Sequence, residues 1–171
     1  LERRGYTQVV ATNAAGRTVT RGQTFNITPL LAAGASAHLY SSDGNFELVL
    51  PVAALTADAT LAIQPTTVGS ARQGNLVRLG LPYQISISTG QQQLNLPAVV
   101  NLHYQPDQMS SLRPGVAQLY RWDAAAQAWV IAGTGVVDTN LHIVSTEVDR
   151  LATFALFGQQ SPTLYLPLIA R

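Results

Sequence analysis

Three histidines, nine carboxylates and two tryptophans are the side chains here with most chemistry to offer. Their spacing decides how much of it is usable. His38, His103 and His142 are far apart in sequence, without the close spacing of a metal-binding pair. A lone strand histidine is usually a hydrogen-bonded packing residue. Glu147 and Asp149, two residues apart, fall on one face of a strand, while Asp43, Asn45, Asp138 and Asn140 sit in turn-like stretches. Their oxygens could ligate calcium, but Asp and Asn are also the residues that build turns, and that reading is preferred. The chain has no Cys, so thiolate nucleophiles, disulfides and sulfur-rich zinc sites are excluded. No Ser–His–Asp set or carboxylate pair can be assembled from the pattern. The expectation is a protein that is not an enzyme, with no catalytic residues, cofactor or metal.

Trp122 and Trp129 flank the turn segment "WDAAAQAW". On adjacent antiparallel strands two indoles either pack across the pair or form an exposed platform for a sugar ring. Packing is the preferred reading; Trp122 and Trp129 stand as the candidate ligand platform, with cell-surface glycans as the ligand. Asn26-Ile27-Thr28 fits the N-glycosylation acceptor pattern, a short match.

Composition narrows the partners. Of 171 residues, 47% are hydrophobic and only 11% charged, with a net charge of +1. Average soluble domains carry roughly 25% charged residues, so this surface is built mainly from Thr, Ser, Gln and Asn and lacks the self-repulsion that keeps molecules apart. All ten basic residues are Arg, scattered from Arg3 to Arg171 without clustering, which argues against nucleic acid. The absence of Lys closes the covalent routes to a surface fibre that need an amine nucleophile, isopeptide bonds and sortase linkage. Apolar runs such as Leu48 to Leu55 fall far short of the roughly 20 residues of a membrane span.

The hydrophobic period along the chain is two. Phe46–Leu50, Tyr83–Ile87, Val99–Tyr104 and Val116–Trp122 are short, mostly alternating runs bounded by Gly, Pro, Asn and Ser, and they predict half-buried strands. Further strands are expected at Thr60–Gln64, Ala128–Ala132, Leu141–Val148 and Thr153–Phe157. "PVAALTAD" and "DAAAQA" have helix-friendly composition but are long enough only for turns. The fold class is all-β, an antiparallel β-sandwich with additional N-terminal and C-terminal strands. Residues 1–33 form an N-terminal strand segment, with strands at Tyr6–Thr12 and near Thr24–Ile27; residues 34–158 form the sandwich; residues 159–171 form a linker and last strand.

The stretches "DGNFELVLPVAALTADATLAIQP" and "YQISISTGQQQLNLPAVVNLHY" resemble the ZU5 domain, and "LYRWDAAAQAWVIAGTGVVDTNLHIVSTEVDRLATFALFG" is similar to the final strands of its bacterial surface-protein relatives. The resemblance covers roughly residues 35 to 158 and implies a β-sandwich used as an interaction or surface module. Some ZU5 proteins cut themselves at a His-Phe-Ser sequence before the last strand. The matching positions here are Arg150-Leu151-Ala152, without nucleophile or base, so self-cleavage is not expected.

The tail "TLYLPLIA" is apolar on both faces: Leu164, Leu166, Leu168 and Ala170 on one, Tyr165, Pro167 and Ile169 on the other. Such a strand requires cover on both sides, while Pro167 places it at an edge or bulge. It is similar to the Tyr-Leu-Pro-Leu tails of secreted proteins from filamentous thermophilic bacteria, which implies an extracellular, cell-surface location. These features predict a non-enzymatic structural protein, a subunit of a filament or layer whose partner is another copy of itself, joined non-covalently by exchange of terminal strands. Leu164, Tyr165, Leu166, Pro167, Leu168 and Ile169 are the first candidate assembly strand; Tyr6, Gln8, Val9 and Val10 are the second. The alternative is an isolated surface adhesion or glycan-binding module of a larger protein.

Overall fold

A computed structural model describes residues 3–12 and 18–27 as backbone, and residues 30–109, 112 and 117–160 with their side chains. The chain forms β1 (Arg3–Thr12), β2 (Thr18–Ile27), β3 (Leu30–Leu31), β4 (Ala37–Tyr40), β5 (Phe46–Leu50), β6 (Ala59–Pro65), β7 (Arg72–Gln73) and β8 (Leu76–Ile87). It continues through β9 (Gln93–His103), the single-turn helix α1 (Pro106–Met109), β10 (Gln118–Asp123), β11 (Ala128–Ile131), β12 (Val136–Asp138), β13 (Ile143–Arg150) and β14 (Thr153–Gln159). Two antiparallel sheets pack together as an all-β sandwich. One has the order β11-β10-β14-β8-β6-β3, with β7 paired to β8; the other has the order β12-β13-β9-β5-β4.

Alternating side chains explain why these strands sit where they do. Phe46, Leu48 and Leu50 of β5 point inward and are fully buried, while Glu47 and Val49 face outward. Ala98, Val100 and Leu102 of β9 and Val144 and Val148 of β13 extend that inner face. From the opposite sheet come Leu61 and Ile63 of β6, Leu79, Tyr83 and Ile85 of β8, Leu119 of β10, and Phe154 and Leu156 of β14. Phe46 ties the layers together, its ring 5.3 Å from Tyr83 and 6.3 Å from Phe154. Burying each such large side chain contributes roughly 1.5–3 kcal/mol.

The two longest strands are interrupted by bulges. In β8 the register against β14 moves from Phe154↔Tyr83 to Leu156↔Leu79, so Gly80-Leu81-Pro82 loops out of the ladder. Gly80 takes a positive φ of 68°, and Leu81 is turned outward. Sequence reasoning places a strand only at Tyr83–Ile87, because Gly80 and Pro82 look like a strand's start; the structure carries the strand through them by a bulge. β14 likewise runs to Gln159, past the expected end at Phe157. The short strands β4 and β12 have no counterpart among the strands expected from sequence. "PVAALTAD" and "DAAAQA" are turns, as expected, and among the described residues the one helical turn falls instead at Pro106–Met109.

β1 and β2 pair over ten residues each, from Arg3↔Ile27 to Thr12↔Thr18, more extended than the expected Tyr6–Thr12 and Thr24–Ile27. They form a two-stranded sheet of their own.

Candidate functional site

Main-chain groups at the sheet edges are where this fold has bonding capacity to spare, and each edge is handled differently. On β11, the Ala132 N–H donates to the Leu119 carbonyl, which fixes the ladder parity. Trp122↔Trp129 is then a pair whose N–H and C=O groups point away from each other. The outward groups of Trp129 are taken by one side chain. Trp129 N–H donates to Gln73 Oε1 and Gln73 Nε2 donates to the Trp129 carbonyl, both at 2.8 Å. The Gln73 amide therefore substitutes for a neighbouring strand.

The same loop covers the outer face of this sheet. The Trp129 indole N–H donates to the Ser70 carbonyl at 3.2 Å, and Arg78 donates to the Val68 and Gly69 carbonyls. Beneath it Tyr120, Trp129, Ala155 and Phe157 form a second apolar cluster, with Leu76 and Trp122 against it. Gly69 lies so close that a Cβ there would stand 2.5 Å from the Trp129 indole nitrogen. Trp122 and Trp129 meet edge-on at 5.3 Å, the cross-strand packing preferred from sequence. The two-ring sugar platform is corrected: Trp129 is only 2% exposed, because the 66–75 loop closes over its face.

Among the described residues, β6 leaves its edge open. Ser88 N–H donates to the Thr60 carbonyl, so the main-chain groups of Leu61 and Ile63 point away from β8. β3 pairs only with Ala59 and Thr60, and no strand among the described residues pairs alongside Leu61–Pro65. Pro65 ends the stretch at a position where a missing N–H costs the ladder nothing.

Polar side chains gather at two further places. A cleft of about 130 Å³ opens at one end of the sandwich, lined by Asp43, Leu79, Leu81, Tyr83, His103 and Gln108 among others. Tyr83 donates its hydroxyl to Asp43 Oδ2 at 2.6 Å, and Asp43 Oδ1 accepts from Ser41 Oγ and the Asn45 N–H. Partial burial pushes the Asp43 carboxyl up, but these three donors outweigh it and hold it below the usual range. Burial, then the bond to Asp43, raises the Tyr83 hydroxyl far above its ordinary value. With most of its acceptor sites filled from within, Asp43 serves as a tie between the β4–β5 turn and the opposite sheet. On the outer face of the second sheet, Glu47 accepts from Asn101 Nδ2 at 2.7 Å and Tyr40 hydroxyl at 2.8 Å, with His38 Nδ1 at 3.3 Å. Burial pushes Glu47 up; the three partners bring it below its usual value. Its lone position in the apolar run "FELVL" is the signal that could have found it.

The other flagged residues scatter. Asp138 Oδ1 accepts from the N–H groups of Asn140 and Leu141, a turn role, and Glu147 and Asp149 face solvent on β13. His142 lies against Tyr104, and His103 lines the cleft. Among the described residues, no three His, Asp or Glu side chains gather as metal ligands. No helix among them is long and apolar enough to cross a membrane. Tyr6, Gln8, Val9 and Val10 sit in β1 opposite Thr24, Gly22, Arg21 and Thr20. Leu164 to Ile169 lie outside the described residues. No protein-family model matches this chain, and no curated protein matches it as a relative.

Proposed function

We propose that the protein is a non-catalytic structural subunit of an extracellular, cell-surface filament or layer, built from copies of itself by non-covalent strand addition. The observation that carries this reading is a mismatch between supply and demand for strands. β1 and β2 form a two-stranded sheet by themselves, and an isolated two-stranded hairpin is at best marginally stable in water. The sandwich meanwhile leaves Leu61 and Ile63 of β6 with main-chain groups directed along an edge that no strand among the described residues fills. A hairpin that lends one strand to that edge in a neighbouring subunit satisfies both. This favours the Tyr6–Val10 segment and its hairpin over the tail as the donor. A head-to-tail contact of this kind propagates unless its rotation closes. The low charge and absence of Lys are compatible with a non-covalent joint. The cell-surface setting draws on the sequence resemblances alone.

Electron microscopy and light scattering of the full chain, of a variant lacking residues 1–27, and of one lacking residues 161–171 test the reading. Polymers from the full chain and from the second variant, but none from the first, support hairpin donation. Loss of polymers only on removing residues 161–171 would transfer the donor role to the tail. A full-length chain that stays monomeric at high concentration overturns strand exchange altogether.

A further inference from the structure

The β4 edge of the five-stranded sheet carries a second unfilled ladder, and its pattern is self-complementary. Ser41 N–H donates to the Phe46 carbonyl at 2.9 Å, closing the β4–β5 hairpin. By the alternation of an antiparallel ladder, Leu39 and Ala37 then bond to β5, while the N–H and C=O of His38 and Tyr40 point out along the edge. The neighbouring ladder agrees: His103 N–H donates to the Asn45 carbonyl, which turns Glu47 and Val49 toward β9 and away from β4. Among the described residues no hydrogen bond reaches the outward main-chain groups of His38 and Tyr40.

Proteins blunt such edges with Pro, Lys, bulges or a covering segment. Apart from the open run of β6, the other edges among the described residues are treated this way or are very short. Gln73 occupies β11, Pro65 ends the open run of β6, and β12 has only three residues, one of which, Val137, faces outward. β4 has none of these devices. Its ladder with β5 is regular, and neither outward residue is a Lys, Arg, Asp or Glu. Tyr40 is 56% exposed.

We propose that β4 is a two-fold interface, pairing antiparallel with β4 of a second copy and joining two five-stranded sheets into one. With the axis at Leu39, His38 lies opposite the second copy's Tyr40 and Tyr40 opposite its His38. Each is then a pair that exchanges both main-chain bonds, about four in all. The outward groups match without remainder, and a chain with 11% charged residues and a net charge of +1 offers little self-repulsion, which carries the choice of a second copy. On the outer face the arrangement sets imidazole against phenol across the axis, each beside its own Glu47, so both carboxylates keep their partners. On the inner face the two Leu39 side chains meet where each core ends. This interface is independent of the hairpin and β6, and unlike a head-to-tail joint it closes on itself.

The test uses the full chain. Of the main-chain donors His38→Pro removes only the outward His38 N–H, and with it the imidazole beside Glu47, so it leaves the β4–β5 ladder intact while blocking the interface. In light scattering across a concentration series, the expected result is a dimer contact present in wild type and lost in His38→Pro, with the same circular dichroism. Hydrogen exchange should show the His38 and Tyr40 amides protected at high concentration and exposed on dilution. As a second variant, H38C/Y40C in this Cys-free chain should oxidise to a covalent dimer, and Y40C alone should not. Unchanged association in His38→Pro, or open-edge exchange of both amides at every concentration, overturns the proposal. Polymers that vanish without residues 1–27 while the β4 dimer persists would separate this contact from hairpin exchange.

Discussion

The Gln73 side-chain amide holds both main-chain groups of Trp129, donating to its carbonyl and accepting its N–H at 2.8 Å each. Replacing it with Ala leaves a half-buried N–H and C=O with nothing but water to bind. Gln73→Ala should lower stability by about 1–3 kcal/mol, the usual cost of an unmade bond of this kind. It should also free the β11 edge, so a new concentration-dependent association in scattering is the second readout. An unchanged melting temperature would show that water replaces the amide fully.

Trp129 is closed in by Gly69 on one side and Phe157, at 5.4 Å, on the other. Trp129→Ala is expected to cost roughly 3–5 kcal/mol in denaturant unfolding. A variant of wild-type stability would mean that the loop collapses to fill the space.

Thr146 is 2% exposed, and its hydroxyl has no hydrogen-bond partner among the described residues. Thr146→Val keeps the shape and removes the unmet polar atom, so a gain of about 1 kcal/mol is expected. A loss measured by thermal melting would point to a bound water that the hydroxyl holds.

The Asp43–Tyr83 tie sets a pH dependence at both ends of the scale. The folded Asp43 has a lowered pKa, so its contribution is present above the ordinary carboxylate value and lost as pH falls through the folded one. Tyr83 is shifted upward, so its neutral form is favoured in the folded protein. Its contribution is complete below the ordinary tyrosine value of about 10 and lost as pH rises beyond it. Melting curves should therefore show Asp43→Asn flattening the acid limb and Tyr83→Phe flattening the alkaline limb. Wild-type slopes in both variants would place the titrating groups elsewhere.

Much of the fold was legible in the sequence because its strands are half-buried: "FELVL" alternates, and its inward and outward residues are those the period predicts. The limits of legibility have physical causes. β14 is buried on both faces from Phe154 to Gly158, since the 66–75 loop returns over the outer side, and no local pattern announces a loop from ninety residues away. The bulge at Gly80–Pro82 uses the residues that otherwise end strands. The Trp pair was readable as cross-strand packing, but its burial depends on Gly69 and Gln73, which look like ordinary loop residues. Asp43 was visible as a turn residue; its bond to Tyr83, forty positions on, depends on the stacking of the two sheets.

β14 lies between β10 and β8, with four register pairs on one side and six on the other. Tension entering at Gln160 runs along this strand and must shear both ladders at once. Tension entering at Leu30 meets only the two pairs of β3 at the sheet's rim, which peel one at a time. Stretched between these two points, the chain is therefore expected to yield first at the β3 end, with β14 still paired on both sides.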